Sequence, residues 1–248
     1  MNGARVALAG RVAFVTGAGR GIGRAIAERL AIDGAVVAVG AASLESAERT
    51  VDAIRVRGGI ATAVAGDLAD AKSVDQMFAS IHAALGPVAI LVNNASIRPH
   101  SALTDISPQE WRRVLGVDLN GPFFCSRLAA IDMIEAGWGR IINVSGRDAF
   151  TGATGRAHVV AAKAGVHGLT KALAMDLAGN GITANTVVPG AVDTGHRTAV
   201  EVTYRSARNP SGRLTAPSDI AELCSFLISA DQINGAAIHI NGGEFSLG

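Results

Sequence analysis

Short apolar runs alternate with stretches of helical periodicity along this chain. RVAFVTG (11–17) is almost wholly apolar until its closing glycine, the pattern of a strand buried on both faces. Ile22, Ile26 and Leu30 then recur every four residues, which predicts one helix face, and Gly34 predicts its stop. AVVAVG (35–40) predicts a second strand, Leu44 to Arg57 a helix before Gly58-Gly59, and ATAVAGD (61–67) a third strand. Ser73 to Leu85 reads as a helix closed by Gly86-Pro87, and VAILVNNAS (88–96) as a fourth strand with its exit loop. Ser107-Pro108-Gln109-Glu110 has the form of a capping box with proline at the first helical position, opening one long helix toward Met133. RIINVSG (140–146), a helix over 158–177, ITANTVVPG (182–190), a helix over 218–228 and AAIHING (236–242) complete the series. Residues 191–216 have weak periodicity and are expected to form a mobile flap. The alternation predicts an α/β fold, one doubly wound parallel sheet with helices on both faces.

Composition narrows the class. The 248 residues are 49% hydrophobic, enough for one large core, and no linker or repeat divides them. Charged residues make up 17% and the formal net charge is +1, which gives no electrostatic footprint for nucleic acid or an anionic membrane surface. No apolar run reaches the ~18 residues of a membrane span, and the opening MNGARVALAGRVAF lacks the layout of a signal peptide. Cys125 and Cys224 both fall in helical patterns, so they are expected to be buried small hydrophobes in a reducing cytoplasm. A small-molecule partner is expected, and no metal set is assigned.

TGAGRGIG (16–23) joins the first strand to the first helix. Glycines at 17, 21 and 23 allow a sharp turn and let a pyrophosphate approach backbone N–H groups at a helix N-terminus. The spacing is G-x-x-x-G-x-G. Together with LVNNAS after the fourth strand it resembles the short-chain dehydrogenase/reductase family. The resemblance spans nearly the whole chain, through Asp67, AAKAG, VVPGAVDT, GRLTAPSDIA and HINGG in the family's order. It implies a single NAD(P)-binding Rossmann-like domain over 1–248, an oxidoreductase activity and a homotetramer paired through the helices at 107–133 and 158–177. It also implies that Gly17, Arg20, Gly21, Ile22 and Gly23 hold the phosphates and that Asp67 and Leu68 flank the adenine. Asn94 and Ala95 would line the ribose side, and Pro189, Gly190, Val192 and Thr194 the nicotinamide end. The second strand ends in Gly40-Ala41-Ala42-Ser43 with no carboxylate, and Arg20 stands in the glycine loop. Those two features favour NADP(H) over NAD(H).

The family's chemistry uses a tyrosine, a lysine four residues later, a serine and an asparagine. Lysine and tyrosine at that spacing share one helix face. Here Lys163 of AAKAG matches the lysine, but the position four before it is Val159. The serine, thirteen residues before the tyrosine, falls on Gly146, with Ser145 one residue early, and VDLNG puts Asp118 where asparagine is usual. Lys163 is expected to bind the ribose, and Asp118 and Ser145 are the remaining catalytic candidates. Gly146, Val159 and the only tyrosine, Tyr204, are expected to shape the substrate pocket. Ser145 would need a bulge to replace the serine, because successive strand residues face opposite ways. His158 is expected at the surface, Arg147 and Asp148 in a solvated loop, and His196 on the flap. Three readings stay open: an NADP(H) oxidoreductase whose substrate needs no tyrosine acid, a silent nucleotide-binding homologue, or a lyase or isomerase that reuses the pocket.

Overall fold

A computed structural model describes residues 8–195, 198–207 and 209–245, except the side chains at 199, 200, 204 and 205. In chain order the strands are β1 Val12–Val15, β2 Val36–Ala41, β3 Ala61–Ala65, β4 Val88–Asn93, β5 Gly139–Val144, β6 Ile182–Pro189 and β7 Ala237–Ile240. The helices are α1 Gly21–Ile32, α2 Leu44–Val56, α3 Ala71–Leu85, α4 Pro108–Leu115, α5 Gly121–Ala136, α6 Asp148–Thr151, α7 Ala157–Leu177, α8 Ala199–Ala207 and α9 Pro217–Ser229.

All strand pairs are parallel, in the order β3-β2-β1-β4-β5-β6-β7. Each strand sends alternate side chains to opposite faces, so the apolar runs feed two cores. Ala13 and Val15 of β1 pack with Ile26 of α1, Val51 of α2 and Cys224 of α9. Val12 and Phe14 pack on the other face with Phe78 of α3, Cys125 of α5 and Leu177 of α7. The two cysteines thus lie on opposite faces of the sheet, and burial pushes each thiol up to about 12. The doubly wound sheet expected from the sequence is the one observed. Among the described residues no helix is long and apolar enough to cross a membrane.

Three local expectations are corrected. The single long helix after Ser107 is two helices, α4 and α5, joined by a π-helical turn at Gly116–Asn120. The turn packs closely on the loop after β3: a Cβ on Gly116 would stand 2.8 Å from Ala69 Cβ, and one on Gly121 2.9 Å from Leu68 Cβ. The capping box forms by half. Ser107 Oγ accepts from the Glu110 N–H at 3.0 Å, but the Glu110 carboxylate takes the Ser101 hydroxyl at 2.7 Å and faces His158. Helix α3 begins earlier than Ser73, because Asp70 accepts from the N–H groups of Lys72 and Ser73 and so caps it.

Candidate active site

The sheet order reverses at β1, whose neighbours are β2 and β4. In an open parallel sheet, ligands bind in the crevice outside the strand C-termini at such a switch point. The glycine turn fills the mouth of that crevice. Gly17 (φ +63°) and Gly21 (φ +55°) take left-handed conformations. A Cβ on Gly17 would lie 2.7 Å from Ala95 Cα, and one on Gly23 would collide with Asn94 Nδ2 and the Gly17 carbonyl. Thr16, which sequence reasoning passed over, ties the two strand ends together. Its Oγ1 accepts from the backbone N–H groups of Asn94 and Ala95 at 3.0 and 3.1 Å. Asn94 returns the tie by donating its side-chain amide to the carbonyls of Thr16 and Gly17.

A groove of about 560 Å³ runs over this turn. Gly17, Arg20, Gly21, Ile22, Gly23 and Thr194 line it at one end, and Asp67, Leu68, Asn94 and Ala95 also border it. The end of β2 contributes Ala41, Ala42 and Ser43, and no carboxylate. Asp67 is held by Arg113, which also lines the groove and was not foreseen. The two Arg113–Asp67 contacts are 2.6 and 2.7 Å, and they hold the Asp67 carboxyl below the usual carboxylate range. Arg20, at the N-cap of α1, makes no side-chain capping bond.

Ile22 and Thr194 also border a second space of about 590 Å³, so groove and cavity are contiguous. Ser145, Gly146, Pro189, Gly190 and Val192 face this cavity. A Cβ on Gly146 would meet no atom within 4 Å.

Two of the catalytic candidates sit behind the cavity's lining. Lys163 and Asp118 line neither space. The Lys163 ammonium lies 3.4 Å from Asp118 Oδ2 and donates to the Val144 carbonyl at 3.2 Å. Asp118, 0% exposed, also accepts from the Ser96 hydroxyl at 2.5 Å and the Ile97 N–H at 2.8 Å. Burial pulls the Lys163 pKa below the ordinary lysine value, and the Asp118 charge works against that pull. Val159, expected in the pocket wall, is 0% exposed and lines neither space; it is buried in the first turn of α7. Ser145 follows β5 without a bulge, its N–H donating to the Val187 carbonyl. Its hydroxyl is held by α7, donating to the Lys163 carbonyl at 3.3 Å and sharing a 3.0 Å hydrogen bond with His167 Nε2. Burial, reinforced by His239 and nearby lysines, pushes the His167 pKa down to about 4.

Two surface expectations fail. His158 is fully buried, with Nε2 3.2 Å from Glu110 Oε1, because the first turn of α7 packs under α4. Asp148 is also buried, enclosed by arginines. The Tyr204 side chain and His196 lie outside the described residues, and α8 falls within the expected flap.

Comparison with known proteins places these features in context. A family model described as short chain dehydrogenase matches residues 11–204. A 3-oxoacyl-(acyl-carrier-protein) reductase FabG of Aquifex aeolicus is 38% identical over 247 residues, covering 97% of this chain and 99% of the relative. A FabG of Staphylococcus aureus is 40% identical over 239 residues, covering 94% and 97%. The crystal structure of a gluconate 5-dehydrogenase from Burkholderia cenocepacia in complex with NADP and tartrate superposes with a TM-score of 0.89 at 31% identity, covering 97% of each chain.

Proposed function

This chain belongs to the short-chain dehydrogenase family, and from that premise we propose that it is an NADP(H)-dependent oxidoreductase for a small substrate that supplies its own proton, such as an iminium. The FabG relatives are named as reductases and the solved gluconate 5-dehydrogenase carries NADP, which supports nicotinamide redox chemistry. The groove fits the group. Its glycine turn has no room for side chains at 17 and 23, so backbone N–H groups at the start of α1 are left to meet a pyrophosphate. Arg20 and Ser43, with no carboxylate at the end of β2, suit a 2′-phosphate. Pro189, Gly190, Val192 and Thr194 would border the nicotinamide end. When bound, the cofactor supplies the hydride.

One observation carries the reading. One turn before Lys163, on the helix face that holds the lysine, the chain has the fully buried hydrocarbon of Val159, and the cavity wall at 146 has a bare glycine. Neither position can hold a substrate oxygen or give it a proton. A positioned acid contributes about 10²–10⁴-fold, so ketone reduction is expected to be slow here. The Lys163–Asp118 pair adds a second argument. It is neutral overall, so the lysine adds no net charge of its own beside a cationic iminium. Exposed Phe123 and Ile131 on α5 support pairing of that helix with a second copy in a homotetramer.

The test is NADPH binding by fluorescence titration, with turnover against matched ketones and cyclic imines. Binding is expected, with imine reduction at least about 100-fold faster than ketone reduction. Equal rates on both would overturn the reading. Binding without turnover on any substrate would favour a silent homologue, and product formed with no net cofactor change a lyase or isomerase.

A further inference from the structure

The cavity beside the groove contains three arginines drawn from three separate segments. Arg98 lies in the loop after β4, Arg147 just after β5, and Arg156 at the N-cap of α7. We infer that this cluster is a carboxylate site, with Arg98 and Arg156 gripping the acid group of a compact, carboxylate-bearing substrate. The inference deepens the oxidoreductase reading, on which only the word substrate rests.

Like charges converge only where something compensates them, and Asp148 is that something. It is 5% exposed, and its Oδ2 takes Arg98 Nη2 at 2.7 Å and Arg156 Nη1 at 3.5 Å while its Oδ1 faces Arg147 Nε at 3.4 Å. A second carboxylate, Glu244, pairs with Arg147 and accepts from the Ala191 N–H at 2.6 Å. Both acids are therefore engaged. Three guanidinium groups against two carboxylates leave one positive charge in the cavity. That surplus sits at the outer arginines, because Arg147 is held by both acids whereas Arg98 and Arg156 share one oxygen of Asp148.

Each guanidinium carries more N–H donors than these bonds use. The Arg98 side chain is 49% exposed and that of Arg156 32%, so unused donors face the open cavity. The two carriers are also fixed relative to one another. The Ser101 N–H donates to the Gly155 carbonyl at 3.0 Å, tying the loop of Arg98 to the loop of Arg156. Gly155 has φ +68°, and a Cβ there would collide with the His100 ring, which lines the same cavity. A tethered pair of forks with one surplus charge matches a planar monoanion in geometry and in charge. A phosphate dianion would leave one negative charge unmatched. Neither outer arginine borders the groove, so the anion end lies apart from the glycine turn.

The experiment is a calorimetric titration of the full chain with butyrate, its neutral isostere butyramide and inorganic phosphate, each with and without NADPH. Butyrate is expected to bind at least about 10-fold more tightly than butyramide, since a hydrogen-bonded charge contributes on that scale. Arg98→Gln and Arg156→Gln are each expected to weaken butyrate about 10-fold and to leave NADPH affinity within twofold. Arg98→Lys keeps the charge without the fork and should fall between; it replaces the glutamine variant if that one fails to fold. Butyramide binding as tightly as butyrate, unchanged butyrate affinity in folded variants, or phosphate binding more tightly than butyrate would each overturn the inference. Arginine-dependent butyrate binding in a chain that ignores NADPH would keep this site and remove the redox reading. NADPH binding without butyrate preference would do the reverse.

Discussion

The two sides of the sheet's crevice are built differently. The groove side is specified largely by backbone: left-handed glycines, missing Cβ atoms, and main-chain groups held by the Thr16 hydroxyl and the Asn94 amide. The cavity side is specified by side chains: Lys163 on Asp118, Ser145 on His167, and arginines around Asp148. Backbone geometry admits few substitutes, whereas a side-chain site can exchange its chemistry residue by residue while the fold stands. The contrast fits the proposed reading, in which the glycine turn holds the cofactor while the cavity exchanges its chemistry.

The sharpest way to break the comparison is to refit the cavity side. The double change Val159→Tyr and Gly146→Ser is expected to raise ketone reduction by about 10²–10⁴-fold, read as steady-state NADPH oxidation. Open space around position 146 admits the serine, whereas the tyrosine at the buried position 159 must displace its neighbours to reach the cavity. A variant that folds, binds NADPH and stays inert on ketones would sink the assignment of those two positions.

Next in size is Asp118→Asn, which strips Lys163 of its counter-charge. Breaking a buried pair costs about 3 kcal/mol or more, read as a lower urea midpoint. Unchanged stability would mean that the Val144 carbonyl alone holds the ammonium.

On the groove side, Gly23→Ala pushes a methyl into Asn94 and the Gly17 carbonyl. Overpacking of this kind costs about 1–3 kcal/mol, so NADPH affinity should drop about 10–100-fold while butyrate affinity is kept. Loss of both would show that groove and cavity are one unit.

The smallest effect concerns pH. The unfolded chain protonates a histidine near 6.5, whereas folded His167 resists until about 4. Between those values the unfolded state binds the extra proton, so stability is full above pH 6.5 and declines as pH falls toward 4. His167→Leu removes that contribution. Its unfolding midpoint should change less than the parent's between pH 7 and 4.5, and parallel curves would show that His167 takes no part.

Much of this was legible because the relevant signals are local. The apolar runs of β1, β5 and β6 and the glycine spacing each declare themselves within a few residues. The π-helical turn did not, because it interrupts helical periodicity for one turn only and both flanks still read as helix. The arginine cluster was invisible for a different reason. Positions 98, 147 and 156 are far apart in sequence, and nothing in their neighbourhoods shows that one buried aspartate gathers them. His158 lies about 100° around α7 from position 159, and nothing local to it shows that α4 brings Glu110 over that face.

The widened turn at Gly116–Asn120 works as a phase shifter. It lets α5 keep step with the sheet while Asp118 is dialled inward to Lys163. Excising a single residue from that stretch would turn the aspartate by about 100°, retune the lysine and shift Val117, which borders the groove. Length at this one place is thus a hidden control on the Lys163–Asp118 pair, open to evolution by deletion as well as by replacement.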